Sequence, residues 1–176
     1  MDIEKKKKEM LFSREDIHKR VKELGKQIAE DYKEKKLIVV SLLKGSFIFT
    51  SDLVREIDAP VKIAFMATSS YGHSEKTSGN VQILYDINED IVGYDVLVVD
   101  DIADTGLTMK FVLNHLRSMG PKSIKSCVLL DKPSRRKTVL EADYVGFTIP
   151  DKFIVGYGLN YGDYYRNVPY VFAFVD

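Results

Sequence analysis

The sequence predicts an α/β fold in which helices flank a doubly wound, mostly parallel sheet. Two nearly unbroken apolar runs, 37–43 and 96–99, have the composition of strands that are buried on both faces. These runs alternate with loops and with helical patterns, as in other doubly wound sheets. Because such sheets bind ligands outside the carboxyl ends of their strands, the loops that follow the strands are the candidates for a site.

The elements can be assigned in order along the chain. The first is a helix over 14–32, for which Ser13 is a suitable N-cap. Its apolar residues recur at helical spacing and should face the core: they are Ile17, Val21, Leu24 and Ile28. The later elements are strand 37–43, a helix to about residue 57, strands 61–67, 81–84 and 96–99, a helix to about residue 119, and strands 123–130 and 144–148. Two loops, the polar and mobile stretch 68–80 and the segment 101–108, separate them.

The length and composition fit one domain. The chain has 176 residues, 45% of them hydrophobic, and single domains cluster near ~100–150 residues. We therefore expect one domain over 1–176, with the lysine-rich segment 1–10 as a flexible tail. No apolar run reaches the ~20 residues of a membrane span, and no apolar stretch typical of a signal peptide follows the N-terminal lysines.

Charge and cysteine content exclude further classes. Lys+Arg and Asp+Glu both number 26, which argues against a dedicated nucleic-acid binder because such proteins carry a basic excess. We expect no nucleic-acid partner and no membrane. The single cysteine, Cys127, excludes a disulfide scaffold and a zinc-finger cluster, and it favours a reducing, cytoplasmic location.

Three carboxylates follow the strand at 96–99, and they are the strongest functional signal. Asp100, Asp101 and Asp104 precede a helix that opens with Thr105-Gly106-Leu107-Thr108. Free backbone N–H groups at a helix start bind phosphate, and Gly106 lets the backbone approach closely. Adjacent carboxylates suit the vicinal hydroxyls of a ribose or a hard cation such as Mg²⁺. One ligand with ribose, phosphate and a metal would satisfy the whole loop.

Three other interpretations compete for this loop. A P-loop would need a Gly-Lys-Ser/Thr sequence, which is absent. A receiver domain would have its aspartate pair near the chain start, whereas this pair lies past the middle. A plain solvated acidic loop would leave the adjoining phosphate cradle unexplained.

The segment 96–108 resembles the phosphoribosyl-pyrophosphate (PRPP) signature of type I phosphoribosyltransferases: an apolar strand, two acids, two residues and Asp-Thr-Gly-x-Thr. From about residue 11 onward the chain is similar to the hypoxanthine-guanine (6-oxopurine) branch. The resemblance implies the type I fold, with a small hood formed by N- and C-terminal segments. It also implies purine salvage, by Mg²⁺-dependent transfer of 5-phosphoribosyl from PRPP to N9 of hypoxanthine or guanine. The products would be IMP or GMP and pyrophosphate, and the protein would be a homodimer or homotetramer.

The resemblance also implies roles for individual residues. The ribose-phosphate group would be held by Asp100, Asp101, Asp104, Thr105, Gly106, Leu107 and Thr108, and Asp104 would act at purine N7. Pyrophosphate would be bound by Lys44, Gly45 and Arg166, in a loop that often has a cis peptide. The 6-oxo group would be read by Lys132, while Phe153 would stack on the purine and Ile154 would offer backbone groups. Ser70 and Tyr71 would belong to a lid. Without the resemblance, Lys44 and Gly45 would be interpreted as a turn and Phe153 as core. Lys132 and Arg166 would be interpreted as surface charge, and Ser70 and Tyr71 as part of a surface loop.

The chain departs from the family pattern at the metal site. The resemblance assigns Mg²⁺ to Asp100, Asp101 and residue 160, but residue 160 is Asn where the pattern has aspartate. An amide oxygen can ligate Mg²⁺ without adding negative charge, so strong binding of a second metal is in doubt. Asp100 also stands where glutamate is commoner, a milder change. Arg135, Arg136 and Lys137 are interpreted as surface charge or as part of an oligomer interface.

Other functions remain open at this point. A related enzyme acting on adenine, xanthine or a pyrimidine would share the PRPP loop. A regulatory PRPP-binding protein that binds RNA would need a broad basic face, and Asn160 would also be compatible with an inactive scaffold.

Overall fold

The structure is a computed structural model that describes residues 6–71 and 80–175. The elements in chain order are β1 (Lys7–Phe12), α1 (Arg14–Asp31), β2 (Leu37–Leu43), α2 (Phe47–Arg55), β3 (Lys62–Tyr71), β4 (Asn80–Tyr85), β5 (Asp95–Ala103), α3 (Leu107–Arg117), β6 (Ser123–Asp131), β7 (Tyr144–Thr148), β8 (Ile154–Val155) and β9 (Val171–Val175). A short 3-10 helix, Pro133–Arg135, follows β6.

A six-stranded sheet in the order β4-β3-β2-β5-β6-β7 forms the centre of the fold. Only β4 runs antiparallel to its neighbour, and the remaining pairs are parallel. Helices α1 and α2 pack on one face with a core that includes Phe49 and Leu97, and α3 packs on the other face with Val112 and Val98. The prediction of a doubly wound, mostly parallel sheet is confirmed.

Helix α1 begins as its sequence predicts. Asp16 N donates to Ser13 Oγ at 3.0 Å, and Ser13 N donates to Asp16 Oδ2 at 2.9 Å, so the two residues satisfy each other's backbone groups. The four apolar residues of the predicted stripe are all buried. This helix therefore has both a defined start and one face committed to the core.

A second, three-stranded antiparallel sheet in the order β1-β9-β8 joins the two ends of the chain. This sheet is the hood that the resemblance to the family implied. Within the described residues it also corrects the expectation of a tail over 1–10, because Lys7–Phe12 form β1 and pair with β9. Lys152 Nζ lies 2.7 Å from Glu9 Oε2 and links this strand to the loop before β8.

Two predicted loops are shorter than expected. β3 continues to Tyr71 and pairs with β4, so 68–71 is strand; the rest of the predicted mobile loop, 72–79, lies outside the described residues. β5 continues to Ala103, where it still pairs with Asp131 of β6. Hydrogen bonds to a neighbouring strand keep both segments extended despite their polar residues. Asp100 and Asp101 therefore lie within the last four residues of β5.

Two further observations bear on the predicted class. No helix among the described residues is long and apolar enough to cross a membrane. Cys127 is a free thiol in the middle of β6, and burial raises its pKa well above that of an exposed cysteine.

Candidate active site

The carboxyl ends of β2, β5 and β6 meet at one edge of the large sheet, because parallel neighbours end together. There, a cavity of about 290 Å³ opens over the end of β5 and the start of α3. It is lined by Asp100 and Asp101, by residues 102–106, and by Thr108, Met109 and Ser70. The structure thus brings the predicted ribose-phosphate residues other than Leu107 to one crevice, with the predicted lid residue Ser70 on its wall.

Asp100 and Asp101 form a pair of adjacent, partly buried carboxyl groups. Burial and the neighbouring charge of Asp101 raise the pKa of Asp100 well above that of an ordinary aspartate. Burial also raises the pKa of Asp101, although its hydrogen bonds and the positive charge of Arg166 act in the opposite direction. Two such groups favour a ligand that supplies positive charge or hydroxyl donors.

The start of α3 has the geometry of an anion site. Gly106 adopts a left-handed φ of +82°, a conformation that glycine reaches without steric cost, and it forms the N-cap. The first helical hydrogen bond runs from Lys110 N to Gly106 O. The amides before it have no partner within the helix, and of these Leu107 N donates to Thr105 Oγ1 at 3.3 Å. The remaining donors are available for a phosphate group.

The loop after β2 contacts this acidic pair directly. The loop contains a cis peptide bond, as such loops often do in the family, and it is the Leu43–Lys44 bond rather than the bond between Lys44 and Gly45. A Cβ on Gly45 would lie 1.9 Å from Asp101 Oδ2, so only glycine fits beside that carboxylate. The Lys44 side chain is exposed. Lys44 and Gly45 therefore lie next to the metal and ribose candidates.

A distant turn closes the other side of the same loop. A Cβ on Gly158 would lie 2.1 Å from Gly45 O, and Gly158 has a φ of +101°. Arg166 Nη1 donates to Gly158 O at 2.6 Å, and Gly158 N donates to Arg166 O at 2.9 Å. The predicted pyrophosphate residues, which come from segments more than a hundred positions apart, are thus assembled around one turn.

The end of β6 provides the facing wall. Lys132 is buried, its backbone N donates to Ala103 O at 2.9 Å, and its Nζ donates to Lys152 O at 2.8 Å. Across from it, Asp104 Oδ1 is buried and accepts no hydrogen bond from the described residues. Arg135 Nε lies 3.3 Å away, an ionic contact without hydrogen-bond alignment. Because the Asp104 side chain as a whole is 40% exposed and lines the cavity, the exposed part of its carboxylate can accept a proton from a ligand.

The predicted purine-binding residues lie at the boundary between the two sheets. Phe153 is 59% exposed, which corrects the alternative that it is core, and its ring meets Tyr161 edge to face at 5.8 Å. Ile154 begins β8, an edge strand of the hood, and edge strands offer unpaired backbone groups. Tyr71 ends β3, and its side chain lies outside the described part of the structure.

Asn160 is not joined to the acidic pair in the described structure. It is exposed, and its Nδ2 donates to Gly162 O at 2.6 Å. Over residues 6–71 and 80–175, no group of three or more His, Cys, Asp or Glu side chains is arranged to hold a metal ion. The adjacent carboxylates Asp100 and Asp101 fit Mg²⁺ as protein usually holds it, with one or two carboxylates and the remaining ligands from substrate and water.

Sequence reasoning assigned no role to several residues that shape the site. Ser41, Ser46 and Thr50 form a buried hydroxyl network beneath the Lys44–Gly45 loop, with Oγ–Oγ and Oγ–Oγ1 distances of 2.8 Å. Arg136, interpreted as surface charge, is mostly buried and binds the loop backbone at Ala103 and Asp104. A serine inside an otherwise apolar strand was the available signal for the first group, whereas nothing in the sequence distinguishes Arg136 from Arg135.

Comparison with known proteins gives a consistent result. Residues 8–162 match the family model described as a phosphoribosyl transferase domain. Hypoxanthine-guanine phosphoribosyltransferase of Aquifex aeolicus is 52% identical over 176 residues, covering 99% of each chain. Hypoxanthine phosphoribosyltransferase of Haemophilus influenzae is 48% identical and covers 93% of each. The crystal structure of a hypoxanthine phosphoribosyltransferase from Staphylococcus aureus matches with a TM-score of 0.92 at 46% identity, covering 95% of this chain and 91% of that one.

The family match, the fold and the strand-end site therefore agree, and the chain belongs to the phosphoribosyltransferase family. Its relatives place it in the branch of the hypoxanthine and hypoxanthine-guanine phosphoribosyltransferases, and it is an enzyme of that branch. The resemblance seen in the sequence is confirmed.

Proposed function

We propose that this enzyme transfers 5-phosphoribosyl from PRPP to N9 of hypoxanthine or guanine, giving IMP or GMP and pyrophosphate. The relatives named above support the reaction class. The observation that carries the choice of base is the contact between the ends of β5 and β6. Lys132 N is bonded to Ala103 O, and the next residue, Asp104, has a buried oxygen without a hydrogen-bond partner. A buried ammonium and a partly exposed carboxylate thus follow the ends of two neighbouring strands.

These two groups match the edge of a 6-oxopurine. The Lys132 ammonium donates to the 6-oxo group and replaces its present hydrogen bond to Lys152 O. An exocyclic amine at the same position offers no comparable acceptor, so adenine is disfavoured. Asp104 holds or removes the proton at N7, which increases the electron density of the ring that attacks the ribose. Phe153 stacks on the base, a contact worth roughly 1–3 kcal/mol by the scale known for base–aromatic stacking.

The other half of the site holds PRPP. Thr105, Gly106 and Thr108 bind the 5′-phosphate at the start of α3, and Leu107 contributes a backbone amide. These phosphate contacts lie away from the bond that breaks. Their binding energy can therefore be used to hold C1 of the ribose close to purine N9. The bond from C1 to pyrophosphate breaks as the bond from C1 to N9 forms.

Positive charge stabilises the departing pyrophosphate. Lys44 and Arg166 neutralise its developing charge, and Gly45 lets the group approach the backbone. Mg²⁺ held by Asp100 and Asp101, with Asn160 as a further oxygen ligand, would supply charge neutralisation of the same kind. The raised pKa values of the aspartate pair support this assignment, because a divalent cation relieves their repulsion. Ser70 and Tyr71, at the end of β3, are assigned to the lid that the resemblance implies.

An assay with PRPP and Mg²⁺ against hypoxanthine, guanine, xanthine and adenine tests the proposal. We expect turnover with hypoxanthine or guanine and release of one pyrophosphate for each nucleotide formed. Preferred turnover of adenine or xanthine would overturn the choice of base. Absence of turnover with every base would support the inactive-scaffold alternative, and salt-sensitive RNA binding would support the regulatory alternative.

We also propose that the enzyme is a homo-oligomer. Ile63 and Phe65 lie on one face of β3, and each is more than 40% exposed. Tyr85, opposite Ala67 in the neighbouring strand, adds to this apolar face. Sedimentation at micromolar concentration should give a dimer or tetramer, and Phe65→Glu should shift the distribution toward monomer.

A further inference from the structure

Arg136 is the most extensively hydrogen-bonded side chain near the site. It follows the 3-10 helix after β6, and its side chain is only 15% exposed. Its Nε donates to Leu140 O at 3.0 Å, and its Nη1 donates to Ala103 O at 3.0 Å and to Asp104 O at 2.9 Å. Its Nη2 pairs with the carboxylate of Asp131. Every nitrogen of the guanidinium group is therefore used.

The aliphatic part of the same side chain supports the phosphate cradle. A Cβ on Gly106 would lie 3.1 Å from Arg136 Cδ, so the loop rests directly on the arginine stem. The next residue continues the contact, because Lys137 N donates to Thr105 O at 2.9 Å. The turn 104–106 is thus held along its length by the segment that follows β6.

These contacts join two parts of the site that belong to different strands. Asp131, the carboxylate partner, is the last residue of β6 and directly precedes Lys132. Ala103 ends β5, and the next residue, Asp104, carries the carboxylate proposed to act at purine N7. A planar guanidinium can bond a carboxylate and two backbone carbonyls at once in fixed geometry, whereas a lysine ammonium concentrates its donors at one point.

We propose that Arg136 is a positioning residue that fixes Asp104 and the phosphate cradle relative to Lys132. This inference rests on the proposed function in one respect, the action of Asp104 at purine N7. Arg136 itself touches neither substrate. It acts through the backbone of Ala103 and Asp104, so its loss displaces the Asp104 carboxylate without removing it.

Arg136→Lys tests the proposal, with Lys137→Gln as the matched control, because Lys137 is exposed and uses only its backbone. A displacement of about 1 Å can lower turnover by about 10²-fold, and we expect Arg136→Lys to lower kcat on that scale. The KM for PRPP should rise by a smaller factor, because the phosphate cradle loosens together with Asp104, whereas the KM for hypoxanthine and all constants of the control should change little. Asp131→Asn, which keeps the side-chain volume and an acceptor oxygen but removes the negative charge paired with Arg136, should give a smaller loss of kcat and serves if the first variant does not fold.

A double-mutant cycle separates positioning from general support of the fold. In an Asp104→Asn background, Arg136→Lys should change kcat by no more than about two-fold, because the group it positions is gone; independent effects would instead multiply. Full multiplication of the two effects, or a kcat unchanged in Arg136→Lys alone, would overturn the inference and leave the proposed function intact.

Hydrogen exchange gives a readout that does not depend on turnover. In Arg136→Lys the three amides that donate to the backbone of 103–106, those of Lys110, Lys132 and Lys137, should exchange about ten-fold faster, while amides of β2 and α1 keep their wild-type protection. Unchanged exchange of these three amides would overturn the inference even if the wild-type protein transferred phosphoribosyl to no base, an outcome that would separately refute the proposed function.

Discussion

Gly158 and Gly45 lie so close that a Cβ on Gly158 would come within 2.1 Å of the Gly45 carbonyl oxygen. One residue belongs to the loop after β2 and the other to the turn after β8. The contact therefore connects the large sheet with the hood at the point where pyrophosphate is proposed to bind. Tyr157, which precedes Gly158, reinforces this connection because its hydroxyl donates to Asp52 of α2.

The first prediction follows from this contact. Gly158→Ala should raise KM for PRPP several-fold and lower the free energy of unfolding by more than the ~1–2 kcal/mol that left-handed backbone costs a residue with a Cβ. Gly93→Ala is the matched control, since Gly93 has a φ of +78° and nothing within 4 Å of its would-be Cβ. Steady-state kinetics and thermal unfolding measure both effects. Equal losses in the two variants would show that only backbone strain matters.

Asp104→Asn should lower kcat by roughly 10²-fold or more, the usual scale of general acid–base catalysis. The amide keeps the size of the side chain but does not take up the N7 proton. KM for PRPP should change little, because the phosphate cradle is formed by residues 105–108. A variant that turns over near the wild-type rate would remove Asp104 from this role.

Asn160→Asp should lower the Mg²⁺ concentration needed for half-maximal activity, because a carboxylate adds the negative charge that the amide lacks. Asn88→Asp, at an exposed position on another loop, is the charge-matched control. Activity is titrated with Mg²⁺ at fixed PRPP. Superimposable titrations of all three proteins would show that position 160 does not sense the metal.

The acidic pair predicts how stability depends on pH without metal. The folded-state pKa of Asp100 is raised by burial and by Asp101, whereas in the unfolded chain an aspartate ionises near pH 4. Above that pH the unfolded state binds fewer protons than the native state, so this group's contribution to stability falls as pH rises through the folded-state pKa.

Asp100→Asn should therefore raise the melting temperature at pH 7 to 8 and flatten its dependence on pH, while activity is lost. Asp58→Asn, at an exposed position, should leave the pH profile unchanged. Calorimetry from pH 5 to 8 without Mg²⁺ measures both. A lower melting temperature for Asp100→Asn at pH 8 would falsify this account.

Much of the large sheet could be predicted because its signals are local. The apolar run at 37–43 coincides with β2. Ser13, which the sequence predicts as the N-cap of α1, has that role in the structure. The acidic segment 100–108 could be recognised from its residue order alone, because its geometry depends only on one strand and on the start of one helix. The cavity lined by Asp100 and Asp101 lies where this segment predicts a site.

The remaining features depend on distant pairing and could not be predicted in the same way. β1 is rich in lysine and resembles a tail until β9 covers its edge. Residues 101–103 look like a loop, but pairing with β6 keeps them in strand. Arg136 and Arg135 are adjacent and chemically identical, and only the position of the Ala103 and Asp104 carbonyls decides which one is buried.

The strand order of the hood has a consequence for the assembly of the enzyme. β9 is the central strand of that sheet, and it follows every strand of the large sheet along the chain. During synthesis the large sheet and the phosphate cradle can form first, while β1 and β8 remain unpaired until β9, the strand between them, has been made. Premature termination before residue 171 should thus release a chain that grips a ribose phosphate but has no completed wall against which to seat a base.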